Sequence, residues 1–378
     1  MKRWFLLLSI AIVALLSACT PQATPAPSAP APTAPAKAAV PLSNVPSTTP
    51  QDAAWTKIVE TAKKEGIANV YTWGWTGDTG VTITKAFENR HGIKLNMITG
   101  RGAEFIERIK TETRMGNVTA DMFEGASAHS ENMRLEGLLT QAGDLPVLRN
   151  KGDFSADPLL FSPEGYYLVE NQFYLALYVN TNLVKPGEEP KAWADLLEPK
   201  WKGKIVWADP VVSVSSSYFA VMIEQKRMGR DFLEKLGKQD VMFDPSTPGV
   251  ASKIARGEAW VGYSDTNAVA PLALEGAPIK IIDSREGVFA NGLAVGLVKN
   301  GPHPNASRLF LNWILSQEGQ DVYTKAKGVL TVRKDVPDYQ PQAVRLKPQN
   351  PVFLGSEYND LVAKTFKDKE FVPLLKPK

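Results

Sequence analysis

The chain has 378 residues, of which 44% are hydrophobic and 22% charged, with 28 glycines, 28 prolines, one cysteine and three histidines. That apolar share is ample for a sizeable core, and the length suits about two domains. One cysteine excludes an intramolecular disulfide framework, and three scattered histidines leave little for zinc chemistry. The net charge is +3, but Lys2, Arg3 and Lys37 are the only charged residues before position 51. The rest of the chain is therefore electrically balanced, and no nucleic-acid footprint is indicated.

Residues 1–18 read as an export signal. Lys2 and Arg3 form a positive start, and Trp4 to Leu16 is an apolar run too short to span a bilayer. Leu16-Ser17-Ala18-Cys19 follows, and it resembles the bacterial lipobox, whose cysteine is diacylated. A purely structural cysteine after a hydrophobic run is the other reading of Cys19. Residues 19–50 continue as a tether of proline, alanine, serine and threonine with Lys37 its only charge. Such a composition cannot bury enough apolar surface to offset its ordering entropy. Extended at ~3.1 Å per residue, it reaches roughly 100 Å at most.

From residue 65 onward short apolar strands alternate with amphipathic helices. Asn69 to Trp73 reads as a strand, followed by the loop Gly74-Trp75-Thr76-Gly77-Asp78 and a helix to about Arg90. Ile93 to Ile98 is a second strand, and Gly100-Arg101-Gly102 opens a helix with Phe105, Ile106 and Ile109 on one face. Asp121 to Phe123 is a third strand, leading through Gly125-Ala126-Ser127 into another helix. A second region repeats the pattern with strands at Phe173 to Val179, Lys204 to Trp207, Ala259 to Tyr263, Ile279 to Ile282 and Gly292 to Val298. Asn305 reads as the cap of a last amphipathic helix, Ala306 to Leu315. Strand–loop–helix units repeated in this way indicate an α/β fold around a mainly parallel sheet.

In open α/β sheets, ligands bind beyond the carboxyl ends of the strands, where helices begin. Here those places hold Trp73, Trp75 and Thr76, then Arg101, then Ser127, then Ser213, Ser215 and Ser216, and lastly Tyr263, Asp265 and Thr266. Helix N-termini and hydroxyls suit an oxyanion, and plain helix capping calls for the same residues. The guanidinium of Arg101 suits a carboxylate or phosphate, the alternative being a solvated loop arginine. Trp73 and Trp75 offer stacking faces, or rim packing.

The lipobox leader, Tyr178-Val179-Asn180-Thr181-Asn182, Trp193 to Leu197, Pro199 to Lys204, Asp209-Pro210, Arg256 to Ala259, Gly276-Ala277-Pro278 and Phe310 to Gly319 together resemble bacterial extracellular solute-binding proteins of ABC importers. The resemblance covers about residues 65 to 335 and is closest to the branch of ferric-ion, thiamine, phosphonate and sugar-phosphate binders. It implies a two-lobe periplasmic binding protein type II fold with an interlobe cleft and hinge. One lobe would be 51–175 plus 268–318, the other 176–267 plus 319–378. It implies docking on a membrane permease, and the serines, threonines and Arg101 make the expected cargo a small organic solute with an anionic group; the chain reads as a monomer anchored outside the cytoplasm by lipid at Cys19, with no cofactor. Ferric-ion binders use adjacent tyrosines where this chain has only Tyr263, so iron is the alternative cargo. No nucleophile–base–orienter arrangement stands out, and the chain reads as a binder rather than an enzyme.

Overall fold

A computed structural model describes residues 50–155, 162, 164–368 and 371–376; the leader, Cys19 and nearly all of the tether lie outside the described residues. The first half opens with α1 (Pro50–Glu65), then β1 (Ile67–Thr72), α2 (Gly77–His91), β2 (Lys94–Thr99), α3 (Gly102–Arg114), β3 (Met122–Ala126), α4 (Ser127–Leu135) and the short β4 (Leu139–Thr140). The long β5 (Tyr167–Asn180) crosses into the second half. That half holds β6 (Ile205–Ala208), α5 (Phe219–Glu224), α6 (Asp231–Leu236), β7 (Met242–Asp244), α7 (Thr247–Ala255), β8 (Val261–Asp265), α8 (Thr266–Leu274) and β9 (Ile279–Ile282). The chain returns along β10 (Val288–Val298), followed by α9 (Pro304–Ile314), α10 (Gln317–Lys327), β11 (Leu330–Thr331), β12 (Pro351–Phe353), α11 (Asn359–Lys367) and α12 (Val372–Leu375).

The strands join in the order β2-β1-β3-β10-β5-β8-β6-β7. Strands β2, β1 and β3 are parallel, as are β8, β6 and β7. Between the two blocks lie β10 and β5, antiparallel to each other and to their outer neighbours. Two α/β blocks are thus sewn together by two long crossing strands. Where β5 pairs with β10, Asn171 faces Leu293 and Val169 faces Ala294, so Glu170 is the extra residue of a β-bulge.

Both crossing strands exceed the sequence expectation of Phe173 to Val179 and Gly292 to Val298. In β5 the extra length includes the polar run Glu170-Asn171-Gln172, which breaks the apolar pattern although all three residues are buried. The last predicted helix is also capped differently. His303 occupies the N-cap of α9. The Glu65 carboxylate, from α1, accepts from the backbone N–H groups of Asn305 and Ala306. A tertiary carboxylate replaces the local cap, which residue-by-residue reading cannot see.

An aromatic cluster of Trp193, Trp207, Phe219, Tyr263 and Phe289 fills one face of the second half. On the first half, Phe87, Phe310 and Trp313 pack α2 against α9. Helix α10 packs on α2 and α9, while α11 and α12 pack on α5 and α6, so residues 319–378 are shared between the halves.

Candidate ligand site between the halves

The carboxyl ends of β1 and β3 meet at Glu124, which is buried. Its Oε2 accepts from Thr72 Oγ1 at 2.5 Å, from Trp73 N at 3.0 Å and from Gly74 N at 2.7 Å. Thr72 Oγ1 in turn accepts from Trp75 N at 3.0 Å. The loop Trp73-Gly74-Trp75 is therefore pinned by one carboxylate. Glycine is required at 74, since a Cβ there would lie 2.5 Å from Glu124 Oε1 and 2.7 Å from Leu293.

The two tryptophans part company on this loop. Trp73 is 41% exposed. Trp75, expected among the ligand-facing residues, is fully buried, with its ring edge-on to Phe310 at 5.5 Å and to Tyr323 at 6.3 Å. The helices α9 and α10 close over it, and they lie more than 200 residues along the chain. Thr76 is exposed at the start of α2 and makes no capping bond.

Arg101 precedes α3 with its side chain 82% exposed, paired with Glu104 at 2.5 Å. Ser127 begins α4, is buried, and donates to Asn291 Oδ1 at 3.0 Å. That asparagine, on β10, also neighbours the Tyr218 hydroxyl of the second half. The chain Ser127–Asn291–Tyr218 thus links a helix start of one half to the serine turn of the other. His129, in the first turn of α4, is half-buried beside Gly102, and desolvation lowers its pKa.

In the second half, Ser213 caps the short 3-10 turn Val214–Tyr218, its Oγ 2.9 Å from Ser215 Oγ. Ser216 Oγ donates to Ala208 O at 3.2 Å. The Tyr263 hydroxyl, deep in the aromatic cluster, donates to Ser215 O at 3.1 Å. Asp265 caps α8: Oδ1 accepts from Ala268 N at 2.9 Å and Oδ2 from Thr247 Oγ1 at 2.5 Å. Thr266 Oγ1 accepts from Tyr174 N at 3.1 Å.

Four residues at this centre are missing from the sequence reading: Glu124, Glu170, Tyr323 and Lys327. Lys327, the last residue of α10, donates to Gly74 O at 2.8 Å. Its electrostatic neighbours are Glu124 of the first half, Glu170 of the crossing strand and Asp265 of the second half. Burial pushes the Lys327 pKa down, against the pull of the three carboxylates. Burial likewise raises the pKa values of Glu124 and Asp265, and raises that of Glu170 well above the usual range, with Glu124 adding to it. Tyr323 of α10 packs beside Glu170. Lys327 gives no signal of its own in the sequence, because a lysine before a helix-ending glycine is ordinary dipole complementation. Glu170 does give one, being the acid of a short polar run set between apolar segments.

Residues 82–351 match the family model described as bacterial extracellular solute-binding protein, and the chain belongs to that family. It is a solute-binding protein of the kind that serves ABC importers. An uncharacterised protein of Haemophilus influenzae is 28% identical over 261 residues, 65% of this chain and 71% of that one. A putative 2-aminoethylphosphonate-binding periplasmic protein of Salmonella typhimurium is 26% identical over 267 residues, 66% of this chain and 73% of that one. Iron-bound HitA from Pseudomonas aeruginosa superposes with a TM-score of 0.66 at 20% identity, over 82% of this chain and 98% of that one. AfuA from Actinobacillus pleuropneumoniae, with fructose-6-phosphate bound, gives 0.64 at 21% identity, over 82% and 97%. The fold is that of type II periplasmic binding proteins, as the resemblance implied.

Proposed function

We propose that this chain is an exported lipoprotein, anchored through Cys19, that captures a small organic solute with an anionic group and hands it to an ABC permease. Closure of the two halves about β5 and β10 would bury the solute, and ligand contacts present only in the closed form would drive that closure. The observation that carries this reading is the Ser127–Asn291–Tyr218 link, which joins the start of α4 to the serine turn across the two halves. Helix-start N–H groups and hydroxyls from both sides suit an oxyanion. Ser127, Ser213, Ser215 and Ser216 form that anion seat in our reading, with Thr266 and Asp265 ordering the facing helix. Trp73, Thr76 and Arg101 line its rim.

Relatives whose names mention phosphonate and a sugar phosphate support an anionic cargo. Structures of iron-loaded relatives keep ferric ion as the alternative. The buried, hydrogen-bonded state of Tyr263 weighs against it. Among the described residues no group of three or more His, Cys, Asp or Glu residues is placed to hold a metal.

A thermal-shift screen of phosphonates, sugar phosphates, carboxylates and ferric chelates tests the reading. A true ligand stabilises by RT ln(1 + [L]/Kd), ~2.7 kcal/mol at a hundredfold excess. Stabilisation by ferric citrate with a tyrosinate–iron colour favours iron; no stabilisation by any anion removes the anionic-solute assignment.

A further inference from the structure

The base of the first half, at the opposite end of its strands from the site between the halves, carries a cavity of about 440 Å³. Small-molecule sites are of this size. Its lining comes from β4, from the turn between β10 and α9, and from α9 itself. Asp121, in that lining, precedes β3, whereas Ser127 follows it, so the two places lie ~20 Å apart along the strand.

The walls are built by close backbone packing. In the turn Lys299-Asn300-Gly301, Asn300 is left-handed at φ 62°. Gly301 sits so tightly on the start of β3 that a Cβ there would lie 2.9 Å from Asp121 Cα. Arg308 of α9 also lines the cavity. Its Nη2 donates to Ala142 O, and Gly143 leaves the space that the guanidinium fills, since a Cβ at 143 would strike Nη2. Its Nε is buried without a partner.

Charge in this cavity is one-sided. Lys299 and Arg308 form no ion pair among the described residues. The acid beside them, Asp121, is buried and already spent. Its Oδ1 accepts from His303 N, and its Oδ2 accepts from Asn69 N and lies 2.9 Å from His303 Nδ1. A buried donor left unpaired costs about 1–3 kcal/mol, and two cations sharing one cavity repel each other. One oxyanion offsets both penalties. The planar guanidinium fork suits a carboxylate, while Leu297, Val298 and Pro304 give the cavity an apolar part that a bare inorganic anion would leave unused.

The geometry points to a second binding site, at the base of the first half, for a small organic carboxylate. Arg308 and Lys299 take the carboxylate, and Leu297, Val298 and Pro304 take the apolar body. This site is separate from the seat between the halves and stands whether or not the transport reading does. An occupant holds α9 to β4 and β10, and so stabilises the first half from outside the cargo site.

Isothermal titration of the purified chain with benzoate and with benzamide tests this, because the two share a shape and differ in charge. Benzoate should bind, and benzamide should bind about tenfold more weakly, the scale of one charge-assisted hydrogen bond. Arg308→Gln and Lys299→Gln should each weaken benzoate by about tenfold, while Ser127→Ala, in the seat between the halves, should leave it unchanged. Benzoate binding that survives both charge substitutions overturns the site, and its loss in Ser127→Ala alone would place the anion between the halves. No binding of benzoate at millimolar concentration, or equal binding of benzamide, overturns it as well. Lys299 is exposed, so Lys299→Gln decides should Arg308→Gln fail to fold. A failed screen of phosphonates and sugar phosphates removes the anionic-cargo reading and leaves this result standing.

Discussion

The ammonium of Lys327 donates to the carbonyl oxygen of Gly74 at 2.8 Å, tying the last turn of α10 to the loop after β1. The two residues are 253 apart in sequence, and the carboxylates around the lysine come from both halves of the molecule. Lys327 therefore sits where side chains from both halves meet.

Removing that cation should be costly. Lys327→Met leaves three carboxylates uncompensated, and breaking a buried charge cluster from one side typically costs about 3–5 kcal/mol. The pH dependence has a fixed sign. The pKa values of Glu124, Glu170 and Asp265 are raised in the folded protein, so they favour the folded state below their unfolded values and oppose it as pH rises through the folded ones. In the variant nothing offsets that opposition. The melting-temperature deficit should be largest at neutral and alkaline pH and shrink as pH falls toward the ordinary carboxylate range. A deficit constant with pH would show that the loss is packing rather than charge.

Gly74→Ala probes the same loop by shape. Its Cβ would come within 2.5 Å of Glu124 Oε1 and 2.7 Å of Leu293 Cδ1, and neither atom is at the end of a free side chain. Overpacking of this kind costs typically 1–3 kcal/mol. Denaturant unfolding should report that loss with an unchanged slope. Ligand affinity should fall as well, because the loop shift moves Trp73.

Arg101→Ala should separate rim from seat. With its side chain 82% exposed and paired only with neighbouring Glu104, Arg101 adds little stability, within about 1 kcal/mol. As a rim charge it should act on approach: the association rate for an anionic ligand should drop and become less sensitive to salt, with dissociation nearly unchanged. Stopped-flow binding at two ionic strengths checks this. A change confined to the dissociation rate would place the guanidinium in direct contact with bound ligand.

Much of the architecture was legible in sequence because it rests on local pattern. The Val70 and Met122 strands, the α3 stripe of Phe105, Ile106 and Ile109, and the glycine- and serine-rich turns at strand ends all announce themselves by period or punctuation. What local pattern does not carry is which polar group meets which across the fold. By their places Ser216, Asp265 and Thr266 read as ligand contacts, yet each also has a structural hydrogen bond to make. Trp75 reads as a loop aromatic because it lies in no apolar run, and the helices that bury it come from the far end of the chain. Lys327 is disguised as a helix-terminal lysine, and only folding brings it to Gly74.

Glu170 offers the sharpest test of what a buried charge costs at this centre. Its carboxylate is buried beside Trp75 and Tyr323, and burial together with Glu124 raises its pKa well above the usual value. At neutral pH the folded chain must therefore either ionise it at a desolvation cost or hold a proton the unfolded chain would release; both lower stability as pH rises. Glu170→Gln keeps the shape and removes the charge. The variant should melt higher than wild type at pH 8, by about 1–3 kcal/mol in stability, with the gain fading as pH falls to the unfolded carboxylate value. Calorimetry across pH 4 to 8 measures it. A glutamine variant less stable than wild type at every pH would mean that the ionised carboxylate is already compensated, by Lys327 or by the facing Trp75 and Tyr323 donors.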